Sequence, residues 1–292
     1  MRTEPKQIGE KTCLITGASR GLGKVLADYF WQQGWSLILV ARNKLALDEL
    51  SYSLGQKFDQ SLEVIVADFS QAGEAERVVK TAQSLVPQLD ALVNNAAMQG
   101  PVGSLWDNDW EEWLKTIQVD LLAPIRLCQL IAPWMIEKGK GSIINLSGGG
   151  ATSLRANFTA YATAKAALVR LTESLAEELK PYNVRANCIA PGAMRTDMLA
   201  EIVSKGELLA GKKEHENATR ILQKGGASMQ RVAELCLFLA SDRTIGITGK
   251  LISAVWDNWE AWPEHLDELH SSDAYTLRRI TGKDRGFSWG DK

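Results

Sequence analysis

Short apolar runs alternate with amphipathic stretches of helix length along most of this chain, and that alternation constrains its fold more than any other feature. Residues 13–16 read as a strand and 22–33 as a helix, 36–40 as a strand and 44–54 as a helix, 62–67 as a strand and 71–85 as a helix. The order continues with strands at 91–94, 142–146, 184–190 and 250–254, interleaved with a long helix ending near Lys138 and with helices at 161–179 and 229–240. Several strands, such as Ser-Leu-Ile-Leu-Val at 36–40, are apolar without polar alternation, as expected when helices cover both faces of a sheet. Repeated βα units with right-handed crossovers predict an α/β chain with a doubly wound parallel sheet in three α-β-α layers.

With 292 residues, 45% apolar and 23% charged, the chain is large enough for one such domain with a substantial core. The expected organisation is an N-terminal arm at 1–10, one catalytic domain at 11–259 and an extension at 260–292. Two stretches leave the βα pattern. Residues 194–226 are long and polar, and read as a mobile substrate loop or lid. The extension carries Trp262, Tyr275, Phe287 and Trp289, which favours docking on a neighbouring subunit over disorder. A net charge of −2 gives no reason to expect a nucleic-acid partner. No apolar run approaches the ~18–20 residues that span a bilayer, and the N-terminus has no signal-like stretch, so no membrane association and a cytoplasmic location are expected. Cys13, Cys128, Cys188 and Cys236 are scattered, and His215, His265 and His270 fall in no ligand pattern, so no metal site is expected.

The first strand runs into Thr16-Gly17-Ala18-Ser19-Arg20-Gly21-Leu22-Gly23, and a helix follows. A glycine-rich turn in that context brings backbone N–H groups and a helix N-terminus to a pyrophosphate, which makes the fold Rossmann-like and the ligand a dinucleotide. An acidic residue at the end of the second strand would bind the ribose hydroxyl of NAD. Ala41-Arg42 stands there instead, and Arg42 with Arg20 is expected to clamp a 2′-phosphate, favouring NADP over NAD. Tyr161 and Lys165 lie four apart on one helix face, and a nearby ammonium favours the phenolate that a tyrosine base needs.

Taken in order, these landmarks resemble the short-chain dehydrogenase/reductase family, in its compact single-domain branch with members like 3-oxoacyl-carrier-protein reductase. They are the glycine loop, Asp68, Asn94-Asn95-Ala96-Ala97, Ile143-Ile-Asn-Leu-Ser147, Tyr161-x-x-x-Lys165, Pro191-Gly192 with Thr196, and Thr248-Gly249. The resemblance covers about residues 11–255. It implies a hydride-transferring oxidoreductase acting on a small carbonyl or alcohol, in which Tyr161 moves the proton and Lys165 binds the nicotinamide ribose. It also implies that Gly17, Ser19, Arg20, Gly21, Leu22 and Gly23 hold the phosphates, that Asp68 faces the adenine, and that Asn95 with Ala96 sits beside the adenosine ribose. Pro191, Gly192 and Thr196 would line the nicotinamide end. Assembly as a homodimer or homotetramer is implied, through the long helices that lead from Trp110 and from Tyr161.

The chain departs from the family pattern at two sites. The serine that polarises the substrate usually stands thirteen residues before the tyrosine, where this chain has Gly148. Ser147 is the expected replacement and Ser153 a weaker one. Asp120 occupies a position usually held by asparagine, where it can pair with Lys165 and join the proton relay. These departures motivate a rival reading, a regulatory or structural protein that binds NADP without turnover. A nucleotide-sugar epimerase or dehydratase ranks below it, because such chains carry a different glycine spacing and a larger C-terminal domain. Lys205, Lys212, Lys213 and Arg220 in the lid are available to meet an anionic substrate or to form a solvated face.

Overall fold

The computed structural model describes residues 11–57 and 59–289; the arm at 1–10 and the last residues of the extension, 290–292, lie outside them. Seven parallel strands form one sheet. They are β1 (Thr12–Thr16), β2 (Ser36–Ala41), β3 (Leu62–Val66), β4 (Ala91–Asn94), β5 (Gly141–Leu146), β6 (Val184–Ala190) and β7 (Leu251–Ser253). Their spatial order is β3-β2-β1-β4-β5-β6-β7. The winding reverses between β1 and β4, and the crevice over the C-terminal ends of strands at such a reversal is where ligands bind. All six residues of β2 are buried, which explains why its sequence shows no alternation.

Each face of the sheet carries its own core. On one face pack α1 (Gly21–Gln32) and α9 (Met229–Ala240), with Leu26, Phe30, Val232 and Leu239 at the centre. On the other pack α3 (Glu74–Leu85), α5 (Ala123–Lys138) and α6 (Thr159–Leu179), around Val78, Leu92, Leu127 and Ile143. Helix α2 (Lys44–Leu54) is capped by the Asn43 side chain, which accepts the Ala46 N–H at 3.1 Å. Helix α3 starts three residues later than its periodicity predicts. The Asp68 carboxylate accepts the Ser70 N–H at 3.0 Å in a local turn, and Gly73 adopts a left-handed φ of 81°.

The long fourth helix is not uniform. Helix α4 (Trp110–Ile117) passes through a π-turn at Gln118–Leu122 before α5 begins. The run Trp110–Lys138 has 29 residues and a most apolar window of mean hydropathy 1.4, so by length and composition it is able to cross a membrane, contrary to the sequence reading. Here its apolar face, with Leu127, Cys128, Ile131 and Met135, lies in the core.

Residues 194–226 form two helices rather than the expected loop. They are α7 (Asp197–Ala210), kinked where Gly206 has φ 78°, and α8 (Lys212–Lys224). Ile202, Ala210 and Ala218 build a small core with Val102 and Phe158, and this seats the pair on the main domain. The first part of the extension packs on its own chain, while Ile280, Phe287 and Trp289 stay exposed. Trp262 and Leu269, the latter in α10 (Leu266–Ser271), join the core under α1 and α9. The Leu251 N–H on the outermost strand donates to the Tyr275 carbonyl at 2.8 Å, and the buried Lys250 amine donates to the Leu269 and Ala274 carbonyls at 2.8 and 3.0 Å.

Candidate active site

Steric limits shape the glycine loop between β1 and α1. Gly17 has φ +66°, and a Cβ there would lie 2.8 Å from the Ala96 Cα; at Gly23 it would lie 2.0 Å from the Gly17 carbonyl oxygen. Only glycine fits at either position. The loop is tied to the end of β4. The Thr16 hydroxyl accepts the N–H groups of Asn95 and Ala96 at 3.0 Å each, and the Asn95 amide donates to the carbonyls of Thr16 and Gly17 at 2.9 and 3.2 Å. The Asn95 side chain is therefore committed to holding the loop. Helix α1 has no side-chain cap and no acidic residue in its first turn, which leaves its N-terminal N–H groups available to an anion.

A cavity of about 510 Å³ runs over the strand ends from Arg42 and Asp68 to Tyr161 and Lys165. Its wall includes Gly17, Ser19, Arg20, Gly21, Leu22, Gly23, Asn95, Ala96, Ser147, Pro191 and Thr196, all named from the sequence. Of the residues assigned above to catalysis or the cofactor, Gly192 and Asp120 stand outside the wall. Gly192 (φ +78°) packs so tightly that a Cβ would meet Val255 and Ala227 at 2.8 and 2.9 Å, and Asp120 is buried beneath Lys165. Sequence reasoning missed Phe69, Met98, Val119, Met194, Asp197 and Met198, which also line the wall. Most of these are apolar residues whose place is set only by packing, but Asp197 had a signal in the Thr196 helix cap before it. The arginine pair also differs from expectation. Arg42 lies exposed at the wall, whereas Arg20 turns toward the lid and pairs with Asp197 Oδ2 at 3.0 Å. The glycine cradle, the uncapped helix and the elongated cavity fit a dinucleotide.

At the far end three ionisable groups are stacked in the interior. Lys165 Nζ lies 5.5 Å from the centre of the Tyr161 ring, donates to the Leu146 carbonyl at 3.1 Å and lies 3.6 Å from Asp120 Oδ2. The π-turn carries Asp120 inward, where its Oδ1 accepts the Met98 N–H at 2.9 Å. Burial pushes the Asp120 carboxyl up to about 6, against the pull of Lys165. Burial opposes the Lys165 ammonium, but Asp120 and Tyr161 outweigh it and hold the amine above its ordinary value. Tyr161 is also held above its ordinary value, by burial first; Lys165 and Arg155 act against this and Asp120 adds to it. The lysine thus pulls in the direction read from the sequence, but in this state it does not overcome burial.

Gly148 lies directly against the tyrosine: a Cβ there would fall 2.2 Å from the Tyr161 hydroxyl oxygen. Ser147 is buried and its hydroxyl has no hydrogen-bond partner among the described residues, while Ser153 is exposed. The lid cations Lys205, Lys212, Lys213 and Arg220 are solvent-exposed and none belongs to the cavity wall.

Comparison with known proteins agrees with this geometry. Residues 17–254 match the family model described as enoyl-(acyl carrier protein) reductase. The chain is 31% identical over 250 residues to dehydrogenase/reductase SDR family member 4 of Homo sapiens, covering 86% of this chain and 88% of that one. It is 30% identical over 242 residues to the 3-oxoacyl-[acyl-carrier-protein] reductase FabG of Thermotoga maritima, covering 83% and 95%. Among solved structures, YwfH, an NADPH-dependent reductase involved in bacilysin biosynthesis, superposes with a TM-score of 0.74 at 26% identity, covering 84% of this chain and 96% of that one. The chain belongs to the short-chain dehydrogenase/reductase family of NAD(P)-dependent oxidoreductases.

Proposed function

We propose that this protein catalyses NADP-dependent hydride transfer between nicotinamide and a small carbonyl or alcohol substrate, with Tyr161 as its acid and base. The observation that carries the reading is the continuous cavity that joins the glycine cradle and Arg42 at one end to Tyr161 and Lys165 at the other. Nicotinamide bound at that second end supplies or accepts the hydride. In the reducing direction Tyr161 gives its phenolic proton to the substrate oxygen as the carbon gains hydride; in oxidation it takes that proton back. The Lys165 ammonium stabilises the phenolate between those steps, and Asp120 compensates the buried ammonium from below. Pro191, Met194 and Thr196 exclude water from the reacting end, and Ser147 is the hydroxyl nearest in sequence to the missing serine position. No acidic side chain ends β2, so the exposed Arg42 is free to meet a 2′-phosphate.

Gly148 favours one rival, a protein that binds NADP without turnover, because the position beside the Tyr161 hydroxyl has no side chain. Titrating NADPH and NADH against tryptophan fluorescence, followed by a carbonyl panel scored for NADPH oxidation, separates the readings. The expected result is tighter binding of NADPH than of NADH, a preference lost in Arg42→Ala, and turnover lost about 10²–10⁴-fold in Tyr161→Phe. Binding without turnover on any carbonyl selects the rival, and binding of neither nucleotide refutes both.

A further inference from the structure

The loop between β5 and α6 contains a buried cation that the proposed mechanism leaves unused. The Arg155 side chain is only 12% exposed, and its guanidinium carbon lies 3.9 Å from the ring centre of the fully buried Phe158 and 5.5 Å from that of Tyr161. The run Gly148-Gly149-Gly150 packs beside it: a Cβ at Gly150 would lie 3.3 Å from Arg155 Cβ, and one at Gly148 would strike the Tyr161 hydroxyl. Arg155 Nε and Nη2 both donate to one oxygen of Glu214, at 3.1 Å each. Glu214 sits in the first turn of α8 and is 34% exposed. One partner is thus fixed by aromatic stacking, while the other stands on the lid and faces water. A guanidinium immobilised in this way is a preorganised carboxylate receptor, and here a carboxylate from the chain already occupies it.

We propose that Arg155 is the anion-recognition residue of the substrate site, that Glu214 holds its place when substrate is absent, and that the substrate is a carbonyl or alcohol compound bearing a carboxylate. The proposal rests on the assignment of Tyr161 as the reacting end. It places a charged donor near the tyrosine on a chain that has no serine at the usual position. Arg155 and Glu214 stand behind the cavity wall, next to Tyr161, so the carboxylate reaches the guanidinium only as Glu214 leaves it. The substrate carboxylate would displace Glu214, so that binding and the seating of α8 are coupled.

Carboxylate binding is read without turnover. Benzoate and its neutral isostere benzamide are titrated into the NADP⁺-saturated protein and into the nucleotide-free protein, by calorimetry. Wild type is expected to prefer benzoate. Glu214→Gln, which removes the internal competitor, is expected to tighten benzoate about tenfold while leaving benzamide unchanged. Arg155→Met is expected to bind the two probes equally. Equal binding by wild type, no binding of benzoate, or weaker benzoate binding in Glu214→Gln would overturn the proposal; the last result would make the ion pair a clamp for α8 and nothing more. If Arg155→Met does not fold, Glu214→Gln carries the test alone. Loss of NADP⁺ binding with the benzoate preference intact would remove the cofactor reading and leave the receptor standing.

Discussion

Asp120→Asn tests whether desolvation or ion pairing governs the buried carboxylate. Burial raises the Asp120 carboxyl from 3.8 to about 6, even with Lys165 at 3.6 Å. In the unfolded chain it returns to its ordinary value, so between the two values the folded protein holds a proton that the unfolded chain releases. Stability from this group is therefore fully present below the unfolded value and is lost as pH rises through about 6. Relative to the asparagine variant, wild type should gain about 1.4 kcal/mol on going from about pH 7.5 to about pH 5. Lys165 titrates well outside that window because its own value is raised. The assay is urea unfolding of both proteins across the range, followed by tryptophan fluorescence and extrapolated to water. A difference that stays flat down to about pH 5 would refute the reasoning, since it would mean that the Lys165 pair holds the carboxyl at or below its ordinary value.

Other outcomes follow from the packing. Gly23→Ala, with a Cβ 2.0 Å from the Gly17 carbonyl oxygen, should displace the glycine loop and abolish NADPH binding, measured by fluorescence titration. Trp262→Ala should cost about 3–5 kcal/mol in urea unfolding, because the ring belongs to the main core despite lying in the extension. Trp106 and Trp110 are 84% and 59% exposed, so replacing both with serine should lower the mass seen by light scattering if this end of α4 forms the subunit contact, while unfolding free energy changes little.

The parts of the fold legible in the sequence were those with a one-dimensional cause. Fully buried strands such as Ser36–Ala41 have apolar runs, and a close backbone approach demands glycine at 17 and 23. The two lid helices were hidden because their apolar positions, Leu199, Ile202, Ala210 and Ala218, are sparse in a polar stretch and find their partners, Val102 and Phe158, far away in sequence. The aromatic residues of the extension signalled docking, but its seat was hidden, because Trp262 joins a core begun far away in sequence and backbone carbonyls are received by Lys250 and the edge of β7. At the site, pattern located Tyr161, Lys165 and Asp120 but gave no measure of burial, and burial sets the direction of both acid shifts. Arg155 belongs to no motif; only the aromatic rings and Glu214 around it reveal it.

The seating of Trp259 and Trp262 against the core that α1 begins has a consequence for how the molecule is made. The apolar face of α1 leaves the ribosome about 200 residues ahead of its partners in α9 and the extension. Until synthesis has passed Trp262, Leu26 and Phe30 face an incomplete layer. Contacts of such long sequence separation form slowly and leave greasy intermediates. Nascent chains stalled before residue 229 should therefore be held by chaperones, and release from them should wait on the tryptophans of the extension.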